Sequence, residues 1–308
     1  MNTDYSVLKK YGENISESKY VTNPAIGRDE EIKQLILTLL TPEKSAILVG
    51  LPGIGKTAIV EGLSYRIQRD EVPNGLKGYT IYKLNTAALI GTIPGTSELK
   101  IQSLLNEVRD ADKLILFIDE IHTLIGDADE SMDFANIFKP LLDRGSIKVI
   151  GATTTQEFEQ FILTDRAFNR RFQRINVAEP TKEQTVQILC GSIPKYEAKT
   201  GAKMKYTDFI KEKIMKFIVD LTEETNRVYE YDGRYPDICF SIMQQAFSYA
   251  LVDNRNEVDI RDFKKAIDNT KLVYKDIINK QMNKFYEEFE DIYRSETVQR
   301  LEEWKRIK

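Results

Sequence analysis

The sequence predicts an α/β fold: a five-stranded parallel sheet flanked by helices and carrying a phosphate-binding loop, followed by a smaller all-helical domain. Three observations carry this. Gly50-Leu51-Pro52-Gly53-Ile54-Gly55-Lys56-Thr57 has the spacing of a phosphate-binding loop and lies between an apolar run, Ala46–Val49, and a helical pattern from Ala58 to about Arg69. Leu114-Ile115-Leu116-Phe117-Ile118 is uninterruptedly apolar, as a strand buried on both faces requires, and ends in the acidic pair Asp119-Glu120. From Thr181 onward the strand signals stop and helical periodicity takes over.

Residues 1–22 are polar, lack a clear period, and read as a tail or a short helix. Asn23-Pro24-Ala25-Ile26-Gly27-Arg28-Asp29 reads as a turn opening a helix, whose apolar residues Ile32, Leu35, Ile36, Leu39 and Leu40 share a face before Pro42 ends it. The first strand and the glycine loop follow. Glycine lets successive N–H groups turn inward at the positive end of the next helix, where polyphosphate sits. Lys56 would then reach the β- and γ-phosphates, and the Thr57 hydroxyl would ligate Mg²⁺. Val72–Gly78 is a breaker-rich connection to a strand at Thr80–Leu84, and strand, helix, strand in that order implies a right-handed crossover and parallel pairing.

A glycine-containing loop at 91–95 and a helix at Leu99–Val108 lead into the central apolar strand. Such a strand delivers its last residues to the carboxyl edge of the sheet, beside the phosphate loop. Asp119 is thereby placed to hold Mg²⁺ and Glu120 to activate the attacking water. A helix at Asp133–Asp143, a strand at Ile147–Ala152 ending in Thr153-Thr154-Thr155, and a short strand near Arg174–Val177 complete the α/β part. The threonine hydroxyls either face the γ-phosphate or cap the next helix; the spacing leaves both open. Further helices are expected at about 181–196, 207–225, 236–253 and from 259 to about 306. The expected organisation is therefore a tail at 1–22, an α/β nucleotide-binding domain at 23–180, a helical lid at 181–270 and a charged helical extension at 271–308.

Composition narrows the partners. Forty-four Lys and Arg against 48 Asp and Glu give a net charge of −4, without global attraction to nucleic acid, so no nucleic-acid partner is expected. The single His122 argues against a histidine-based metal site, and Cys190 and Cys239 read as reduced thiols rather than a disulfide framework. No run of 18 apolar residues and no signal-peptide core occurs, so no membrane association and a cytoplasmic location are expected.

Residues from about 20 to 250 resemble the first AAA+ module of the Clp-type protein unfoldases and disaggregases. The phrases that carry the likeness are Ile26–Ile32, Gly50–Gly62, Glu71–Gly78, Phe117–Leu124, Gly151–Thr154, Arg170–Gln173 and Val177–Pro180. The resemblance implies ATP and Mg²⁺ as cofactors, with Gly50, Pro52, Gly53, Ile54, Gly55, Lys56, Thr57 and Ala58 around the phosphates and Ile26 and Gly27 flanking the adenine. It implies that Thr154 contacts the γ-phosphate region, and that Arg170 and Arg171 are arginine fingers reaching a neighbouring subunit's site in a ring, a hexamer as in the family. The polypeptide-gripping pore loop of the family corresponds to Gly91–Gly95, with Ile93 where tyrosine is expected, and Ile238 stands where a lysine of the helical domain is usual. The leading expectation is an ATPase motor that remodels a protein substrate or partner complex. A nucleotide-switched assembly protein is the alternative that Ile93 favours, and a DNA-directed loader is disfavoured by the charge.

Overall fold

Six strands form the main sheet where the sequence predicts five, among residues 6–89, 96–109, 111–124, 142 and 147–307, which this computed structural model describes. The added strand comes from the segment expected to be a tail. Helix α1 (Ser6–Tyr11) runs into β1 (Gly12–Asn14), which pairs antiparallel with β3 (Thr80–Leu84) at the sheet edge. Leu8 and Ile15 on either side of it are buried, and the Glu107 carboxylate accepts hydrogen bonds from the N–H groups of Val7 at 3.2 Å and Leu8 at 2.6 Å. Three residues are too few to display a period of two, and an edge strand held by backbone pairing needs no apolar alternation.

The turn at Ala25–Arg28 starts α2 (Asp29–Leu40), and β2 (Ser45–Val49) leads through the glycine loop into α3 (Lys56–Gln68). After β3 come α4 (Thr86–Leu89), α5 (Thr96–Arg109), β4 (Leu114–Ile118) and β5 (Lys148–Thr153). A short helix α6 (Thr155–Glu157) continues as a π turn to Ile162; α7 (Arg166–Asn169) and β6 (Phe172–Asn176) close the unit. The strand order is β1-β3-β4-β5-β2-β6, parallel throughout except for β1. Every residue of β2 and β4 is buried, which is why both read as continuous apolar runs. Alternate residues serve two cores. Leu48, Phe117 and Ile150 pack with α2 and α3, whereas Val49, Leu116 and Val149 pack on the opposite face with α1 and α5. The helix expected at 133–143 lies outside the described residues, apart from Leu142.

The chain divides into two compact units, residues 1–178 and 179–308. In the second, α8 (Lys182–Thr200) opens with a capping box in which Thr181 and Gln184 satisfy each other's backbone N–H groups. It is followed by β7 (Lys203–Met204), α9 (Asp208–Leu221), α10 (Asp237–Val252), β8 (Glu257–Val258), α11 (Ile260–Asn269) and α12 (Lys275–Ile307). The unit is thus not purely helical, since β7 and β8 form a two-residue parallel ladder too short to leave a pattern in sequence. The single helix expected from 259 to 306 is two, because Thr270 turns extended and Val273 enters the core between them. No glycine or proline marks that break. Helix α12 is not a solvated extension: Phe285 and Phe289 are both 1% exposed, pack edge-on against Phe217 with ring centroids 5.2 and 6.0 Å away, and lie tilted against each other at 5.0 Å. Ile238 lies in the same core at 2% exposure, so the family's usual lysine position is taken by a packing residue.

Candidate nucleotide site

The carboxyl ends of β2, β4 and β5 bring the expected chemistry together. Gly50 lies so close to the following chain that a Cβ there would stand 2.3 Å from the Val177 carbonyl oxygen, and Gly55 enters α3 at φ +96°, a conformation costly for a residue with a side chain. Between them, Leu51, Pro52 and Gly53 are exposed and Ile54 is buried, anchoring the loop on the core. Thr57 Oγ1 donates to Asp119 Oδ2 at 3.0 Å, joining the loop's helix to the end of β4. Lys56 Nζ donates to the carbonyls of Gly50 at 2.9 Å and Leu51 at 2.8 Å, so its ammonium lies inside the loop. Burial lowers the Lys56 pKa, against the opposing pull of Asp119, Glu157 and Glu120. Ala58 follows within the first turn of α3.

Glu120 is exposed and adopts φ +52°, the left-handed region that residues with a Cβ seldom enter. Backbone strain of this kind gathers at functional sites. Thr154 resolves one of the two openings left by its sequence: its hydroxyl accepts from the Glu157 N–H at 3.3 Å and the Glu157 carboxylate accepts from the Thr154 N–H at 2.9 Å, a capping box. The same Glu157 oxygen also accepts from Thr153 Oγ1 at 3.0 Å and lies 3.0 Å from His122 Nδ1. Burial would raise the Glu157 pKa, but these hydrogen bonds and His122 outweigh it and hold the carboxyl below its ordinary value.

Ile26 and Gly27 sit in the turn before α2, and Arg28 ties that turn to the loop. Its guanidinium, 5% exposed, donates to the carbonyls of Ile54 at 2.7 Å and Ala178 at 3.0 Å and pairs with Glu31 at 2.8 Å. Arg170 and Arg171 are not brought to this site. Ser45 N donates to the Arg171 carbonyl at 3.0 Å, which fixes both arginines at the amino end of β2, whereas the glycine loop leaves its carboxyl end. A five-residue strand, roughly 16 Å long, separates the two. Ile93 lies outside the described residues.

The sequence reading missed Arg28, Lys83, His122 and Glu157. Only Glu157 left a signal, the Thr154-x-x-Glu157 spacing of a capping box; the others touch partners distant in sequence. Lys83 Nζ lies 3.2 Å from Asp119 Oδ2, the oxygen that Thr57 also meets. A hydroxyl and a carboxylate converging beside a lysine-bearing glycine loop are hard oxygen donors suited to Mg²⁺ next to a polyphosphate.

Residues 46–179 match the family described as ATPase family associated with various cellular activities (AAA). The chaperone protein ClpB of Lactococcus lactis subsp. cremoris is 45% identical over 205 residues, covering 64% of this chain and 24% of that protein. ClpB of Aquifex aeolicus is 41% identical over 248 residues, covering 78% of this chain and 24% of that protein. The chain spans about a quarter of the length of these curated relatives. Among solved structures, a closed-state cryo-EM reconstruction of Hsp104 with ATPγS and FITC-casein superposes with a TM-score of 0.72 at 37% identity, covering 85% of this chain and 45% of that one. The Saccharomyces cerevisiae Hsp104–ADP complex gives 0.71 at 36% identity, covering 84% and 44%. The α/β phosphate-loop fold and the likeness to Clp-type ATPase modules are borne out. Among the described residues no helix is long and apolar enough to cross a membrane.

Proposed function

We propose that this chain, whose residues 46–179 match the AAA ATPase family, hydrolyses ATP with Mg²⁺ and uses the cycle to remodel or unfold a protein substrate or partner complex, as one subunit of a ring. The observation that supports it most is the Thr57–Asp119 contact at 3.0 Å, which sets a metal-binding pair beside Lys56 and one residue before Glu120.

In this reading the loop's N–H groups and Lys56 bind the β- and γ-phosphates, which requires Lys56 to leave the Gly50 and Leu51 carbonyls for phosphate oxygens. Thr57 and Asp119 would hold Mg²⁺, which would supply charge neutralisation on the phosphates. Glu120 orients a water and takes its proton as the water attacks the γ-phosphorus; the β–γ bridging oxygen leaves on ADP. Thr154, at the end of β5, faces the same edge as Asp119. Ile26 and Gly27 flank the base, held against the loop by Arg28.

Arg170 and Arg171 stand a strand's length from their own chain's loop, which suits arginine fingers that act on a neighbour and makes turnover depend on assembly. A hexamer is the assembly proposed. The Hsp104 complex with casein supports a polypeptide substrate. The Ile93 position favours the second reading, a nucleotide-switched assembly protein, which needs no grip on a threaded chain.

The test is Glu120→Gln. It should keep ATP bound while turnover falls by about a hundredfold or more; hydrolysis at the normal rate would overturn the assignment. Ile93→Ala then separates the readings, since a motor loses its substrate-stimulated ATPase whereas a scaffold leaves it intact.

A further inference from the structure

Lys83 is not required by any role assigned above, yet its ammonium sits 3.2 Å from Asp119 Oδ2. Strand pairing explains how it arrives there. Lys83 is the register partner of Phe117 on β4, its Nζ lies 5.6 Å from the Phe117 ring centroid, and β4 delivers Asp119 two residues later. On its other side Lys83 is the register partner of Glu13 on β1, and paired residues of neighbouring strands project to the same face. Both line a cleft of about 510 Å³ that also borders Tyr11, Asn85, Asp119 and Glu120. The ammonium therefore has one carboxylate in hand, another across the adjoining strand, and open room between them.

We propose that Lys83 is a positioning residue that shields the Asp119 carboxylate when no divalent ion is bound and moves across the cleft towards Glu13 when an ion takes that oxygen. This inference rests on Asp119 being a metal ligand. A cation that close competes with a metal for the same oxygen, so Lys83 raises the divalent-ion concentration at which the site fills, and it links occupancy of the site to the N-terminal edge strand. Both side chains are about one-third exposed, which keeps the pair weak enough to exchange.

The experiment titrates Mn²⁺ into the full chain, with and without a non-hydrolysable ATP analogue, and follows free Mn²⁺ by electron paramagnetic resonance. Lys83→Met keeps the apolar stem and removes the charge; it should tighten Mn²⁺ binding about fivefold, the scale of a partly exposed ion pair. Lys83→Arg should stay near the unmodified chain, and Glu13→Gln should weaken binding by removing the second carboxylate. The Asp119→Asn background should abolish the Lys83→Met effect. Equal Mn²⁺ affinity for Lys83→Met and the unmodified chain overturns the proposal. If the unmodified chain binds no analogue, the ATPase reading fails instead, and the arm without analogue decides on Lys83 by itself.

Discussion

At Glu120 the backbone and the chemistry pull in opposite directions. Its φ of +52° is a position where glycine would be more comfortable, so Glu120→Gly should stabilise the fold, by about 1 kcal/mol, while removing turnover. Urea unfolding beside an ATPase assay checks both halves; a destabilised variant would mean that the carboxylate supports the turn. Gly50 is the opposite case. Gly50→Ala should disrupt the loop, because the Val177 carbonyl 2.3 Å from the added Cβ is backbone and cannot swing aside; weakened nucleotide binding by calorimetry is the readout. Glu157 sets a pH dependence. Its folded pKa is depressed, so its stabilising contribution is present above the ordinary carboxyl value near about 4.3 and is lost as pH falls through the folded value. Unfolding free energies measured from pH 6 down to about 3 should therefore decline less steeply in Glu157→Gln than in the unmodified chain. At this scale the sequence was most legible where the chemistry is local. The glycine loop, its lysine and threonine, and the Asp119-Glu120 pair follow from contiguous residues, whereas Arg28 and Lys83 depend on which strands become neighbours.

Elements were read best where burial is two-sided or a face is continuous. Strands β2 and β4 and helices α2 and α10 are where the apolar runs put them, because each buries enough side chains to stamp its period on the sequence. The elements that escaped are those of two or three residues, β1, β7 and β8, too short to show a period, and the break after α11, which a threonine makes without a glycine or proline. The charge of α12 left its sequence reading at a charged helical extension; one face inserts Phe285 and Phe289 into the second unit's core. Phe285→Ala should cost about 3–5 kcal/mol of that unit's stability, seen as a lowered denaturation midpoint; a change below about 1 kcal/mol would show that α12 is peripheral after all. Thr181→Ala, which removes half of the capping box on α8, should cost about 1 kcal/mol.

For the molecule as a whole, the decisive prediction concerns assembly. If Arg170 serves a neighbour's site, subunits carrying Arg170→Ala should poison mixed assemblies out of proportion to their fraction, while strictly proportional loss would indicate independent subunits. Sizing with and without a non-hydrolysable ATP analogue gives the companion measurement, and hexamers are expected with the analogue. The strand order has a consequence for biosynthesis. Strand β2, which bears the nucleotide loop, is flanked not by its neighbours in sequence but by β5 and β6, so Ala46 waits for Ile150 and Ser45 for Phe172. On the ribosome the loop therefore emerges early and matures late. Nascent chains stalled before Asn176 has cleared the exit tunnel should not retain ATP, and during that interval the apolar β2 is a natural client for the cell's own folding helpers.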